Sequence, residues 1–70
     1  MAIEIGDRVT WSWGAGTGAG RAADRFTEAV TSTIKRTDVT RNATKDEPAF
    51  LLVQKDGDRV LKSVTELSKA

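Results

Sequence analysis

Trp11 and Trp13, followed by glycines at positions 14, 16, 18 and 20, are the residues of this chain best placed to do chemistry. That chemistry would be recognition. Indole faces attract cations, peptides and bases. Closely spaced backbone N–H groups in a glycine loop can form a nest for an anion, with Arg21 close behind it. Trp13, Gly14, Gly16, Gly18 and Arg21 are therefore the candidate ligand-binding residues. The stretch also fits G-x-G-x-x-A through Gly14, Gly16 and Ala19, which raises an alternative: binding of a nucleotide, specifically a dinucleotide phosphate, through a 14–20 loop. That motif works by aiming a helix N-terminus at a pyrophosphate. No helix starts here, and no βαβ unit fits into 70 residues.

The competing role for the tryptophans is packing. Val9, Trp11 and Trp13 alternate with Arg8, Thr10 and Ser12, so they share one face of a strand. That alternation assigns Trp11 to the core and leaves Trp13, beside the glycines, open to either role. A methyl-lysine cage needs three or four rings. The chain holds two tryptophans, two phenylalanines and no tyrosine, and Phe50 lies in its most apolar segment.

A second constellation is basic: Lys35, Arg36, Arg41 and Lys45, interrupted by Asp38 and Asp46. It reads either as a solvated surface or as a modest phosphate-contacting face for nucleic acid. The carboxylates at Asp46, Glu47, Asp56 and Asp58 flank turns, where Asp favours local backbone bonding. No histidine or cysteine accompanies them. General acid–base catalysis thus has nothing to recommend it, and no catalytic residue is assigned. Zinc, copper and iron lose their usual ligands, so neither a metal nor another cofactor is expected.

The elements that hold these residues read as mainly β. Ile3 to Trp13 forms a first strand, bent at Gly6-Asp7. The glycines read as a wide, mobile loop. Arg21 to Phe26 reads as a strand. Glu28 to Ile34 is ambiguous: its apolar residues recur at helical spacing, yet its β-branched residues favour a strand. Val39 to Arg41 is a short strand after a turn at 35–38, and 42–48 is a polar loop closed by Pro48. Ala49 to Gln54, apolar on both faces, is expected to be the central and most buried strand. Asp56-Gly57 supplies the turn into Arg59 to Lys62. Ser63 caps a helical turn through Leu67. The predicted core is Val9, Trp11, Phe50, Leu52, Val60 and Leu67.

Seventy residues allow a single domain, spanning 1–70. A chain of this size buries only about 60% of its unfolded surface. Small domains usually add a disulfide, a metal or a subunit interface. Without cysteine or histidine, the interface remains. Leu51 and Val53 offer a second apolar face, and 28–47 offers a hinge, so the expectation is a homodimer with strand exchange as a route to it. The net charge of +1 gives no strong basic field. The first residues are too acidic for a signal peptide, and no run is long enough to span a membrane, so a cytoplasmic location is expected.

Gly6-Asp7-Arg8-Val9, Trp11, Trp13-Gly14, Thr40-Arg41-Asn42, Asp46-Glu47-Pro48-Ala49-Phe50 and Asp56-Gly57-Asp58-Arg59-Val60-Leu61-Lys62 resemble the Tudor-like domain of hypervirulence-associated proteins, which also occurs as small stand-alone bacterial proteins. The resemblance covers almost the whole chain. It implies a bent, SH3-like small β-barrel of about five strands with a short C-terminal helical turn. The favoured reading is a non-enzymatic binding module for protein or nucleic acid, with a purely structural homodimer as a further alternative. Arg21 to Phe26 is less apolar than that family's second strand, and the rings are few for a methyl-lysine reader.

Overall fold

The computed structural model describes residues 3–34 and 36–70. Among them are seven strands and one 3₁₀ turn. These are β1 (Arg8–Trp13), β2 (Gly16–Phe26), β3 (Val30–Ile34), β4 (Thr37–Arg41), β5 (Ala49–Val53), β6 (Arg59–Ser63), the 3₁₀ turn Val64–Glu66 and β7 (Leu67–Lys69). Five strands form one antiparallel sheet in the order β6-β5-β2-β1-β7, and β3 and β4 form a separate hairpin. The mainly β class stands. The sheet does not close into a barrel, and β6 and β7 remain its edges.

β2 organises the sheet. Its residues 16–21 pair with β1 and its residues 21–26 pair with β5, with a register shift between Ala22 and Asp24. A bulge of this kind bends a strand and strengthens its twist. Arg21 sits where the two ladders overlap, opposite Arg8 on one side and Val53 on the other. The middle strand is therefore β2, not the 49–53 strand expected from its apolar character. β5 stands beside it as the most buried strand, with Ala49, Phe50 and Leu52 fully inaccessible.

The wide glycine loop is not present. Trp13 pairs with Gly16, leaving Gly14-Ala15 as a two-residue turn. Gly14 has φ 45°, as the first position of a type II′ turn requires. From Gly16 onward the chain is strand, placing Gly16, Gly18 and Gly20 opposite Trp13, Trp11 and Val9. The glycines are seats for indoles. A Cβ at Gly18 would lie 2.5 Å from the Trp11 ring, and one at Gly20 would lie 2.7 Å from the Val53 carbonyl oxygen. Every-other glycine is the strand period, matched to every-other tryptophan across the ladder.

The core joins Ile3, Val9, Trp11, Ala22, Phe50 and Leu52, with Val60, Val64 and Leu67 packed against it. Of the six residues predicted for the core, Val9, Trp11, Phe50 and Leu52 are in this cluster, and Val60 and Leu67 pack against it half-buried. Within the ambiguous 28–34 segment, Val30–Ile34 is strand. Its β-branched residues win because they pair with others across the hairpin: Thr31 and Thr40 share a 2.7 Å hydroxyl hydrogen bond, and Thr33 donates to Asp38 at 2.7 Å. The Asp56-Gly57 turn has three residues. The Gly57 N–H donates to Gln54, the Gln54 N–H donates to Asp58, and Gly57 takes φ 91°. Ser63 caps the 3₁₀ turn as expected. Its hydroxyl accepts from the Thr65 N–H, and Glu66 reaches back to accept from the Ser63 N–H at 2.9 Å.

Candidate functional site

The two ends of the β1–β2 hairpin carry different groups. At the tip stands Trp13, with 59% of its surface exposed, whereas Trp11 is buried at 4%. Trp13 has run past the end of the core, and part of its ring rests on the Gly16 backbone. At the base, Arg8 and Arg21 stand directly opposite one another on the outer face, both exposed. Though distant in sequence, the two arginines are forced together by the same ladder that seats the indoles. The row continues across β5 at Val53 to Arg59 on β6.

Two clefts flank this face. The larger, about 670 Å³, is lined by Arg8, Arg21 and Lys55 together with Ala19, Val53 and Gln54 among others, and no Asp or Glu side chain lines it. The smaller, about 480 Å³, has Trp13 and Thr17 on one wall and Lys55 and Asp56 on the other. They share Ala19, Gln54 and Lys55, so they meet along residues 16–20 of β2, which pair with β1 alone; Trp13 reaches this edge from the core-side face of β1, and Arg8 and Arg21 from the outer face. Among the described residues, no ion pair engages Arg8, Arg21 or Lys55. Arg21 makes only a long hydrogen bond, 3.4 Å, to the Gly6 carbonyl.

Asp56 lines the smaller cleft beside Lys55, while Asp7 and Glu66 are engaged in contacts of their own. Asp7 accepts from the Glu4 N–H at 2.9 Å and pairs with Lys69 at 3.4 Å. That backbone hydrogen bond, then Lys69, hold its carboxyl below the usual range. Glu66 binds Arg41 at 3.1 Å and Lys62 at 3.6 Å. Partial burial pushes its carboxyl up, but the Ser63 N–H and the two cations outweigh this and leave it lowered.

The residues predicted from sequence are thus only partly gathered. Trp13 and Arg21 each line one of the two clefts. Gly14 forms the turn, while Gly16 and Gly18 seat the tryptophans and offer no nest of free N–H groups. The dinucleotide alternative loses its loop and its helix together. Arg41 is occupied in the fold, donating to Glu66 and to the Thr40 carbonyl. Arg36 is exposed at φ 66°, and Lys45 is exposed in the 42–48 loop. Lys35 lies outside the described residues. Arg36, Arg41 and Lys45 line neither of the two clefts. Arg8 and Lys55 were not singled out from sequence. A two-residue turn at Gly14-Ala15 was the signal that would have found Arg8, because it sets every pair out to Arg8–Arg21.

The family model of the hypervirulence associated proteins TUDOR domain matches residues 6–67. The chain belongs to this family. The match runs from the Gly6 turn to Leu67 and so takes in the β1–β2 hairpin, the capped turn and the lining of the clefts apart from Ala70. No curated protein and no solved structure is detectably similar to this Tudor-like domain. Among the described residues, no helix is long and apolar enough to cross a membrane.

Proposed function

We propose that this Tudor-like domain is a non-catalytic binding module for an anionic partner, working through the surface that joins Arg8, Arg21, Lys55 and Trp13. The observation that carries this reading is the unpaired Arg8–Arg21 rung beside a cleft that no acidic side chain lines. Like charges directly opposite in a sheet destabilise it by roughly 0.2–1 kcal/mol. Two residues away on either strand, Thr10 and Ala19 occupy the equivalent rung without any such penalty. An anion lying across the arginines converts the repulsion into two charge-assisted contacts.

The chemistry on offer is recognition only. Arg and Lys are donors without acceptors, and Gln54 and the hydroxyls of Thr17 and Ser12 add neutral hydrogen bonding. No side chain on this surface is placed as a base beside a nucleophile. The test is amide chemical-shift mapping of labelled protein against linear polyphosphate, oligonucleotides and acidic peptides. Perturbations should centre on Arg8, Ala19, Arg21 and Lys55 for at least one polyanion. Shifts confined to Arg36, Arg41 and Lys45 would refute this placement.

A further inference from the structure

We infer that the anionic partner is a single-stranded nucleic acid, with its phosphates on Arg8, Arg21 and Lys55 and one base stacked on Trp13. This rests on the binding surface proposed above and adds its chemical class. Three observations favour it over other polyanions. First, the indole and the cations meet at one sheet edge, Trp13 from the core-side face and Arg8 and Arg21 from the outer face, where both clefts reach Lys55. Base–aromatic stacking beside a cationic track is how single strands are held without sequence preference.

Second, Trp13 is prepared for stacking. It is backed by Gly16, where an added Cβ would lie 3.2 Å from its ring, and more than half of its surface is open. A platform held on one side and bare on the other loses little freedom when a base settles on it. Third, the alternatives waste it. An acidic peptide brings charge but no flat π-face. A duplex buries its base faces in its own stack and offers only its backbone. The rise of a strand separates Trp13 from Arg8 by about 17 Å, a span suited to an extended chain of a few nucleotides.

The experiment is fluorescence anisotropy with labelled oligothymidylate and oligouridylate of about a dozen nucleotides, within the usual site-size range. A duplex of equal length, polyglutamate and linear polyphosphate are the comparators. Both single strands should bind more tightly than the duplex and polyglutamate. Trp13→Ala should weaken single-strand binding roughly tenfold while leaving polyphosphate binding unchanged, and Trp13→Phe should restore most of it. The double variant Arg8→Gln/Arg21→Gln should flatten the dependence of log K on log salt by roughly 1.4, about 0.7 for each phosphate no longer neutralised. Quenching of the exposed indole should accompany binding and vanish in Trp13→Ala. If polyglutamate binds as well as either strand and Trp13→Ala changes nothing, the nucleic-acid assignment is overturned and the anion-binding surface stands. If no polyanion binds at this face, polyphosphate included, both readings fall.

Discussion

Gly18 and Gly16 are chemically identical neighbours of two tryptophans, yet they should respond differently to the same substitution. A methyl at Gly18 would sit 2.5 Å from Trp11, which is buried and has nowhere to go. Gly18→Ala should therefore destabilise the domain by about 1–3 kcal/mol through overpacking. A methyl at Gly16 would sit 3.2 Å from Trp13, whose exposed ring can tilt aside. Gly16→Ala should cost far less, because it also removes backbone freedom from the unfolded chain. Chemical denaturation of the two variants checks this. Equal losses would mean that Trp13 is clamped as firmly as Trp11. At this scale the sequence was legible in part. The alternation placed Val9, Trp11 and Trp13 on one face. It did not reveal that the glycines were their partners, because a glycine carries no side chain to announce which face it serves, and its spacing suits a loop as well as a strand.

At the scale of elements, the β3–β4 hairpin and the capped turn are joined through one carboxylate. Glu66 accepts from the Ser63 N–H and binds both Arg41 of β4 and Lys62 of β6. Its lowered value in the fold sets the sign of its pH dependence. The folded state gains stability from this group above the value the carboxyl has when unfolded, and loses it as the pH falls through the lower folded value. Glu66→Gln should reduce stability at neutral pH by roughly 0.5–1 kcal/mol, the modest size reflecting a partly exposed network. The deficit should shrink in acid, where the parent carboxyl is protonated as well. Thermal melts at neutral and acidic pH read this directly, and a constant difference at both would exclude the ionic role. The Ser63 cap was visible in sequence, since Ser followed three residues later by Glu is a capping box. The link to Arg41 was not. It joins residues 25 apart through a hairpin whose strand character was itself undecided from 28–34 alone.

At the scale of the whole molecule, two features that suggested a homodimer are partly used within the chain. On the second apolar face of the 49–53 strand, Leu61, paired with Leu51, is buried, while Leu51 is half-buried and Val53 lines the cleft beside Arg8 and Arg21. The 28–47 segment is not a loose hinge but carries a paired hairpin of its own. Both sheet edges are five residues or shorter and carry lysines, which discourages strand addition. Light scattering at tens of micromolar should therefore give the mass of one 7.6 kDa chain. A stable dimer would restore the interface as part of the account. The fold class was legible because the strand patterns are local. The open sheet was not, because closure depends on how far β2 bends at its bulge, and no residue type near Ala23 declares that bend.

The central claim is that Arg8 and Arg21 face one another for binding and not for folding. The measurement that tests it most directly is the thermal stability of Arg8→Gln/Arg21→Gln without any ligand, read beside its affinity for oligothymidylate. Removing two like charges from one rung should leave the melting temperature unchanged or raise it by a few degrees, about 4–8 °C per kcal/mol for a domain of this size. Affinity should fall at the same time. A variant that melts several degrees lower while binding as tightly as the parent would make the arginines structural and contradict the claim.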